Sequence, residues 1–179
     1  MNLTDLVLRD QADDSVRQLA KQFDLSEDQA RSAMQELLPA LQRGMQRNGQ
    51  IKGLDELLAA IENGNHSRYV EQPTVLGNKA TTDDGNSILG HIFGNKEVSR
   101  NVATHASAKT GLSSSLLKKL LPVVATIAMG SLSKKVLGGT TRQVPERTQS
   151  RGMIASILDS DNDGSVIDDV LGMAWKMMV

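Results

Sequence analysis

The sequence predicts an all-α protein, a multihelical bundle with two related helical segments and a C-terminal helix-loop-helix tail. Three observations predict it. Apolar residues make up 39% of the chain but aromatic residues only 2%, so the core is built from Leu, Ile, Val, Met and Ala, which pack by interdigitation and favour helices. Apolar positions recur at three- and four-residue spacing, which lines one face of a helix. Glycine and asparagine fall just beyond the periodic runs, where helices stop. A length of 179 residues fits one compact domain or two small ones.

Residues 1–63 read as an N-terminal helical segment. From Ser15 to Phe23, Val16, Leu19, Ala20 and Phe23 share a face, with Arg17 and Lys21 on the other. Asp24-Leu25 breaks that helix. Ser26 then serves as an N-cap and Gln29, three residues on, completes a capping box. The helix that follows carries Ala30, Ala33, Met34, Leu37, Leu38 and Leu41, and is expected to fray at Gly44 and Asn48-Gly49. A third helix, Leu54 to Ile61, buries Leu54, Leu57, Leu58 and Ile61 and stops at Asn63-Gly64. Residues 64–87 hold Gly64, Pro73, Gly77 and Gly85 among polar side chains, which predicts a linker or ordered loop.

Residues 88–139 read as a second helical segment that repeats the first. The turn Phe23-Asp24-Leu25-Ser26 is echoed by Thr110-Gly111-Leu112-Ser113, and Glu36-Leu37-Leu38-Pro39 by Lys119-Leu120-Leu121-Pro122. Leu25 to Pro39 spans fourteen positions and Leu112 to Pro122 ten. The difference is about one helical turn, so an internal duplication would keep the buried face almost unchanged. The run Leu120 to Met129 is shorter than the ~20 residues a spanning helix needs and reads as a core helix, so no transmembrane segment is expected. Residues 140–151, polar and holding Pro145, read as a flexible tether. Residues 152–179 read as a helix, an acidic loop and a second helix.

The acidic loop carries the most definite chemistry. Asp159, Asp161 and Asp163 occupy its first, third and fifth positions, Gly164 the sixth and Ser165 the seventh, as in the front half of an EF-hand calcium loop. Side-chain oxygens at alternate positions and a backbone carbonyl at Ser165 can converge on one Ca2+. The pattern departs at the twelfth position, where Val170 stands in place of a bidentate Glu. Asp168 or Asp169 would have to close the cage. The competing reading is a solvated turn in which Asp168 and Asp169 favour the start of the next helix through its dipole.

Other chemistries find little support. With 20 Lys plus Arg against 21 Asp plus Glu, the net charge of -1 gives no general attraction for nucleic acid or anionic membrane. Cysteine is absent, which removes disulfides, thiolate metal sites and thiol nucleophiles. That fits a reducing compartment, and Met1 to Leu6 lacks the features of a signal peptide, so a cytoplasmic protein is expected. Gln18 to Leu38 resembles a helix-turn-helix, but its second helix opens with Glu27 and Asp28, which repel phosphate. The second copy offers Lys118, Lys119, Lys134 and Lys135, which read first as a solvated face. His66, His91 and His105 show no ligand spacing and read as surface or satisfied helix residues. Gly77 to Thr81 lacks the order of a phosphate loop, and Ser113 to Ser115 has no identifiable base. No catalytic residue is assigned and no enzyme is expected.

The strings Asp84-Gly85-Asn86-Ser87-Ile88-Leu89-Gly90, Thr110-Gly111-Leu112-Ser113, Leu120-Leu121-Pro122 and Met129-Gly130-Ser131-Leu132-Ser133-Lys134-Lys135 occur in this order. Together they resemble the bacterial YidB-like domain of unknown function over roughly Val16 to Lys135. The acidic tail resembles one carried by some relatives of that family. The resemblance implies a small multihelical bacterial fold and brings no activity, substrate or catalytic residue.

An interaction role remains. Met173, Trp175, Met177 and Met178 belong to a segment too short to bury them alone. Met and Trp suit adaptable and anchoring contacts. They are expected to dock on the chain's own bundle, on a second copy or on another protein. The expectation is a non-enzymatic module of protein interaction or assembly, with a calcium-binding protein and a weak DNA-binding protein as alternatives.

Overall fold

The computed structural model describes residues 1–10, 12–52, 54–138 and 147–159. Along the chain run α1 (Leu3–Asp10), α2 (Ala12–Phe23), α3 (Glu27–Lys52), α4 (Leu54–Asn63), α5 (Arg68–Glu71), a 3₁₀ turn (Pro73–Gly77), α6 (Lys79–Phe93), α7 (Lys96–Thr110), α8 (Ser114–Leu137) and α9 (Arg147–Asp159). No strand occurs among the described residues. The architecture is the all-α multihelical bundle that the composition and spacing predict.

The helix α8 is the axis of the bundle and packs against every other α-helix described. All its residues from Leu120 to Ser133 are buried. That explains why its sequence lacks an amphipathic stripe: a helix covered on all sides is apolar all round. At 24 residues, with an 18-residue window of mean hydropathy 1.4, it is long and apolar enough to cross a membrane, and 83% of that window is buried inside the bundle. Side chains of α3, including Met34, Leu37, Leu38, Leu41 and Met45, are also buried.

The two turns matched in the sequence share their geometry. Asp24 and Gly111 both take positive φ, 55° and 75°. The serine two residues later caps the next helix in each case: Gln29 N–H donates to Ser26 Oγ at 3.1 Å and Leu116 N–H donates to Ser113 Oγ at 3.2 Å. Ser26 N–H also donates to Gln29 Oε1 at 3.0 Å, which completes the expected capping box.

Three boundaries differ from those read in the sequence. The helix α3 runs past Gly44 and Asn48-Gly49 to Lys52. Tertiary contact retains the residues that would fray it: a Cβ on Gly44 would lie 2.4 Å from Ile92 Cγ2, and Asn48 Nδ2 donates to the His91 carbonyl at 2.8 Å. Residues 64–87 hold α5, the 3₁₀ turn and the first nine positions of α6 rather than a linker or loop. Gly85 in α6 marks a close approach, since a Cβ there would lie 2.1 Å from the Pro122 carbonyl oxygen of α8. The helix α9 begins at Arg147, inside the segment 140–151 read as a tether. The short helix α1 was not anticipated either, although Leu3, Leu6 and Val7 keep helical spacing and are all buried.

Candidate functional site

Of the residues that the sequence nominates, Asp159 is the last residue of α9. Asp161, Asp163, Ser165, Asp168, Asp169, Met173, Trp175, Met177 and Met178 lie outside the described residues. What the structure gives is the platform from which they start. The helix α9 packs on α3, α4 and α8 and buries Ile154, Ile157 and Leu158. Its last turn is fastened by Gln42 of α3, which is 1% exposed. Gln42 Nε2 donates to the Leu158 carbonyl at 3.1 Å, while Gln42 Oε1 accepts from Leu3 N–H at 2.8 Å. At the other end Arg151 lies 3.5 Å from Asp55, an exposed pair that contributes little.

A second site was not nominated from the sequence at all. It is a half-open cleft of about 290 Å³ walled by α4 and α6, with Asn48 of α3 and Met129 of α8 completing it. Leu57, Ile88, Ile92 and Met129 supply its apolar surface, and Asn63, His66, Asp84 and Ser87 supply polar groups. Asp84 and Ser87 are three apart in α6, so one helical face presents both to the cleft.

Beside the cleft sits a chain of polar contacts. Arg68 Nη2 donates to Tyr69 Oη at 2.7 Å and Tyr69 Oη donates to Asp84 Oδ2 at 2.5 Å. The Arg68 guanidinium also lies 4.8 Å from the centre of the Tyr69 ring, and that ring stacks on His66 at 6.1 Å. His66 Nδ1 stands 3.5 Å from Asp84 Oδ2, with the two side chains 7% and 30% exposed. It makes no hydrogen bond there. Two glycines admit this arrangement. A Cβ on Gly64 would lie 1.8 Å from His66 Nε2, and one on Gly130 of α8 would lie 2.7 Å from the His66 carbonyl oxygen.

Burial holds the His66 pKa below its ordinary value, and the nearby Asp84 charge opposes this only in part. The imidazole is therefore neutral near pH 7. Burial also raises the Tyr69 hydroxyl, as does its hydrogen bond to Asp84. The Tyr69 oxygen raises the pKa of Arg68 by accepting its hydrogen bond. Among the described residues, no group of three or more His, Asp or Glu is placed to hold a metal ion.

The sequence reading took His66 for a surface or satisfied helix residue, and it is instead 5% exposed with an unpartnered nitrogen. Its signal was the chain's single tyrosine, Tyr69, followed by Val70 within an otherwise polar stretch. The string Asp84 to Ile88 also proves to be structural and site-forming at once: Asp84, Ser87 and Ile88 line the cleft while Gly85 seats α6 on α8.

No curated protein and no solved structure matches the chain. The profile of one sequence family, described as bacterial protein of unknown function, matches residues 5–135. That span runs from within α1 to near the end of α8 and holds the described lining of the cleft. The chain belongs to this bacterial family of unknown function, DUF937.

Proposed function

We propose that the protein is a non-enzymatic assembly module in which the helical bundle is the platform and residues 160–179 are the element that binds. The observation that carries this reading is the fastening of α9. With Leu158 held by Gln42 and Ile154 and Ile157 buried, the chain reaches Asp159 at a fixed point of the bundle surface. A sequence with three Met and one Trp, starting from a fixed point, offers apolar groups that a second copy can cover. The YidB-like likeness, with its tail-bearing relatives, supports the same arrangement of module and tail. A catalytic role for His66 is not favoured. Its side chain is buried and its Nδ1 stands 3.5 Å from the Asp84 carboxylate rather than open to the cleft mouth, which does not suit a general base.

Trp175 is the only tryptophan, so its emission reports the tail directly. The reading expects emission to move to shorter wavelength as protein concentration rises, because the covering surface belongs to another copy. Emission independent of concentration would count against it.

A specific observation favours calcium as a second reading. The helix α9 reaches Asp159, the first position of the acidic loop, which supplies the entering helix that an EF-hand-type loop requires. Cation binding would then order the tail for assembly. DNA binding draws no such support. The helix of the second copy is buried from Leu120 to Ser133, and Arg17 and Arg31 of the first copy pair with Asp14, Glu27 and Asp13, which weighs against a helix laid in a groove.

A further inference from the structure

We propose that the acidic stretch of one chain's tail, residues 161–169, docks in a basic groove between α6, α7 and α8 of a second copy. The inference rests on the reading that residues 160–179 drive assembly, and it names the surface they meet.

The groove is half-open, with a volume of about 420 Å³. It admits a few side chains of a segment rather than a folded domain. Leu89, Leu121 and Pro122 are buried and form its floor, while the exposed Lys96, Arg100 and Lys118 stand at its rim. The close seating of α6 on α8 at Gly85 and Pro122 fixes that floor in place.

Three cations and no carboxylate line the groove. Arg100 pairs with Glu97, one turn earlier in α7. Among the described residues no carboxylate pairs with Lys96 or Lys118. Lys96 is moreover the first residue of α7, where the helix dipole disfavours a cation. An anionic segment laid in the groove would compensate both lysines.

Charge selects the occupant. Copies of a chain with a net charge of -1 have no general attraction for one another, so association needs a local match. Residues 160–179 supply it, with four Asp against one Lys. Val166 and Ile167 lie between Asp163 and Asp168-Asp169, an apolar pair for the floor flanked by carboxylates for the rim. The cleft between α4 and α6 does not suit the same segment, since it presents Asp84 and no lysine or arginine. The tail departs from α9, whose main packing is on α3, α4 and α8, while α6 and α7 carry most of the groove. A second copy offers its groove without the tail having to pass around its own bundle.

The test is light scattering on the full chain with a chelator present, so that no cation occupies the carboxylates. Lys96→Glu with Lys118→Glu reverses the groove at two exposed positions and should weaken self-association about tenfold or more. Asp168→Lys with Asp169→Lys reverses the tail and should do the same. Mixing the two variants matches each tail to the other's groove and should restore a complex of the full chain's mass, which neither a misfolded variant nor a general change of charge would do. If the full chain assembles but the groove reversal leaves its mass unaltered, or the mixture stays monomeric, the groove is overturned as the docking surface while tail-driven assembly stands. If the full chain is a monomer at every concentration, tail-driven assembly fails and this inference fails with it.

Discussion

Gln42 joins two helices that are distant in sequence, donating from Nε2 to the Leu158 carbonyl of α9 and accepting at Oε1 from the Leu3 amide of α1. Both bonds are buried, so neither partner can turn to water when the amide is removed. Each orphaned group costs about 1–3 kcal/mol. Gln42→Leu should therefore lower stability by roughly 2–4 kcal/mol, read as a shift of the urea midpoint. It should also raise hydrogen exchange in α9 more than in α8. Uniform exchange across the bundle would mean that Gln42 does not specifically fasten α9.

Two glycines in one helix should respond in opposite directions. At Gly85 an added Cβ meets the Pro122 backbone at 2.1 Å, which no rotamer change relieves. Gly85→Ala should cost roughly 1–3 kcal/mol or more as α6 is forced off α8. At Gly90, five residues on, an added Cβ meets nothing within 4 Å. Gly90→Ala should stabilise by about 0.5–1 kcal/mol through helix propensity. Thermal melts of the two variants check the pair, and a stabilised Gly85→Ala would refute the close approach.

Titration of His66 gives a third prediction. Its pKa is lowered by burial, with Asp84 opposing that shift and Arg68 adding to it. The unfolded chain takes up this proton near pH 6.5, whereas the folded chain does so at lower pH. Stability is thus unaffected above that range and falls as pH drops below 6.5, because protons then favour the unfolded state. Urea midpoints should fall between about pH 7.5 and about pH 5.5. In His66→Gln the fall over that interval should be smaller. An identical slope in the variant would locate the titration elsewhere.

Much of the fold was legible because local and tertiary preferences agree. Ser26 and Gln29 form the capping box their spacing announces, and Ala30 to Leu41 are buried at the periodic positions. The sequence misled where glycine or asparagine serves packing rather than termination, at Gly44, Asn48 and Gly85. Local rules read a missing Cβ as a break, whereas here it is a place where two helices touch. The cleft was illegible for a related reason. His66 and Asp84 are eighteen positions apart, and only the packing of α5 and α6 on α8 brings them within 3.5 Å.

The calcium reading makes its own prediction. Calorimetric titration of chelator-stripped protein should show saturable Ca2+ heat that Asp159→Asn with Asp161→Asn removes, since both supply side-chain oxygens in the proposed loop. Unchanged affinity in the double variant would eliminate the loop as the site.

The central claim is that residues 160–179 drive assembly from a docked α9. Light scattering on the full chain and on a variant ending at Asp159 tests it most directly, because the shortened chain keeps Gln42, Leu158 and the buried face of α9. The account predicts a larger mass for the full chain, rising with concentration, and a monomer for the variant. The same mass for both, at every concentration, would contradict it.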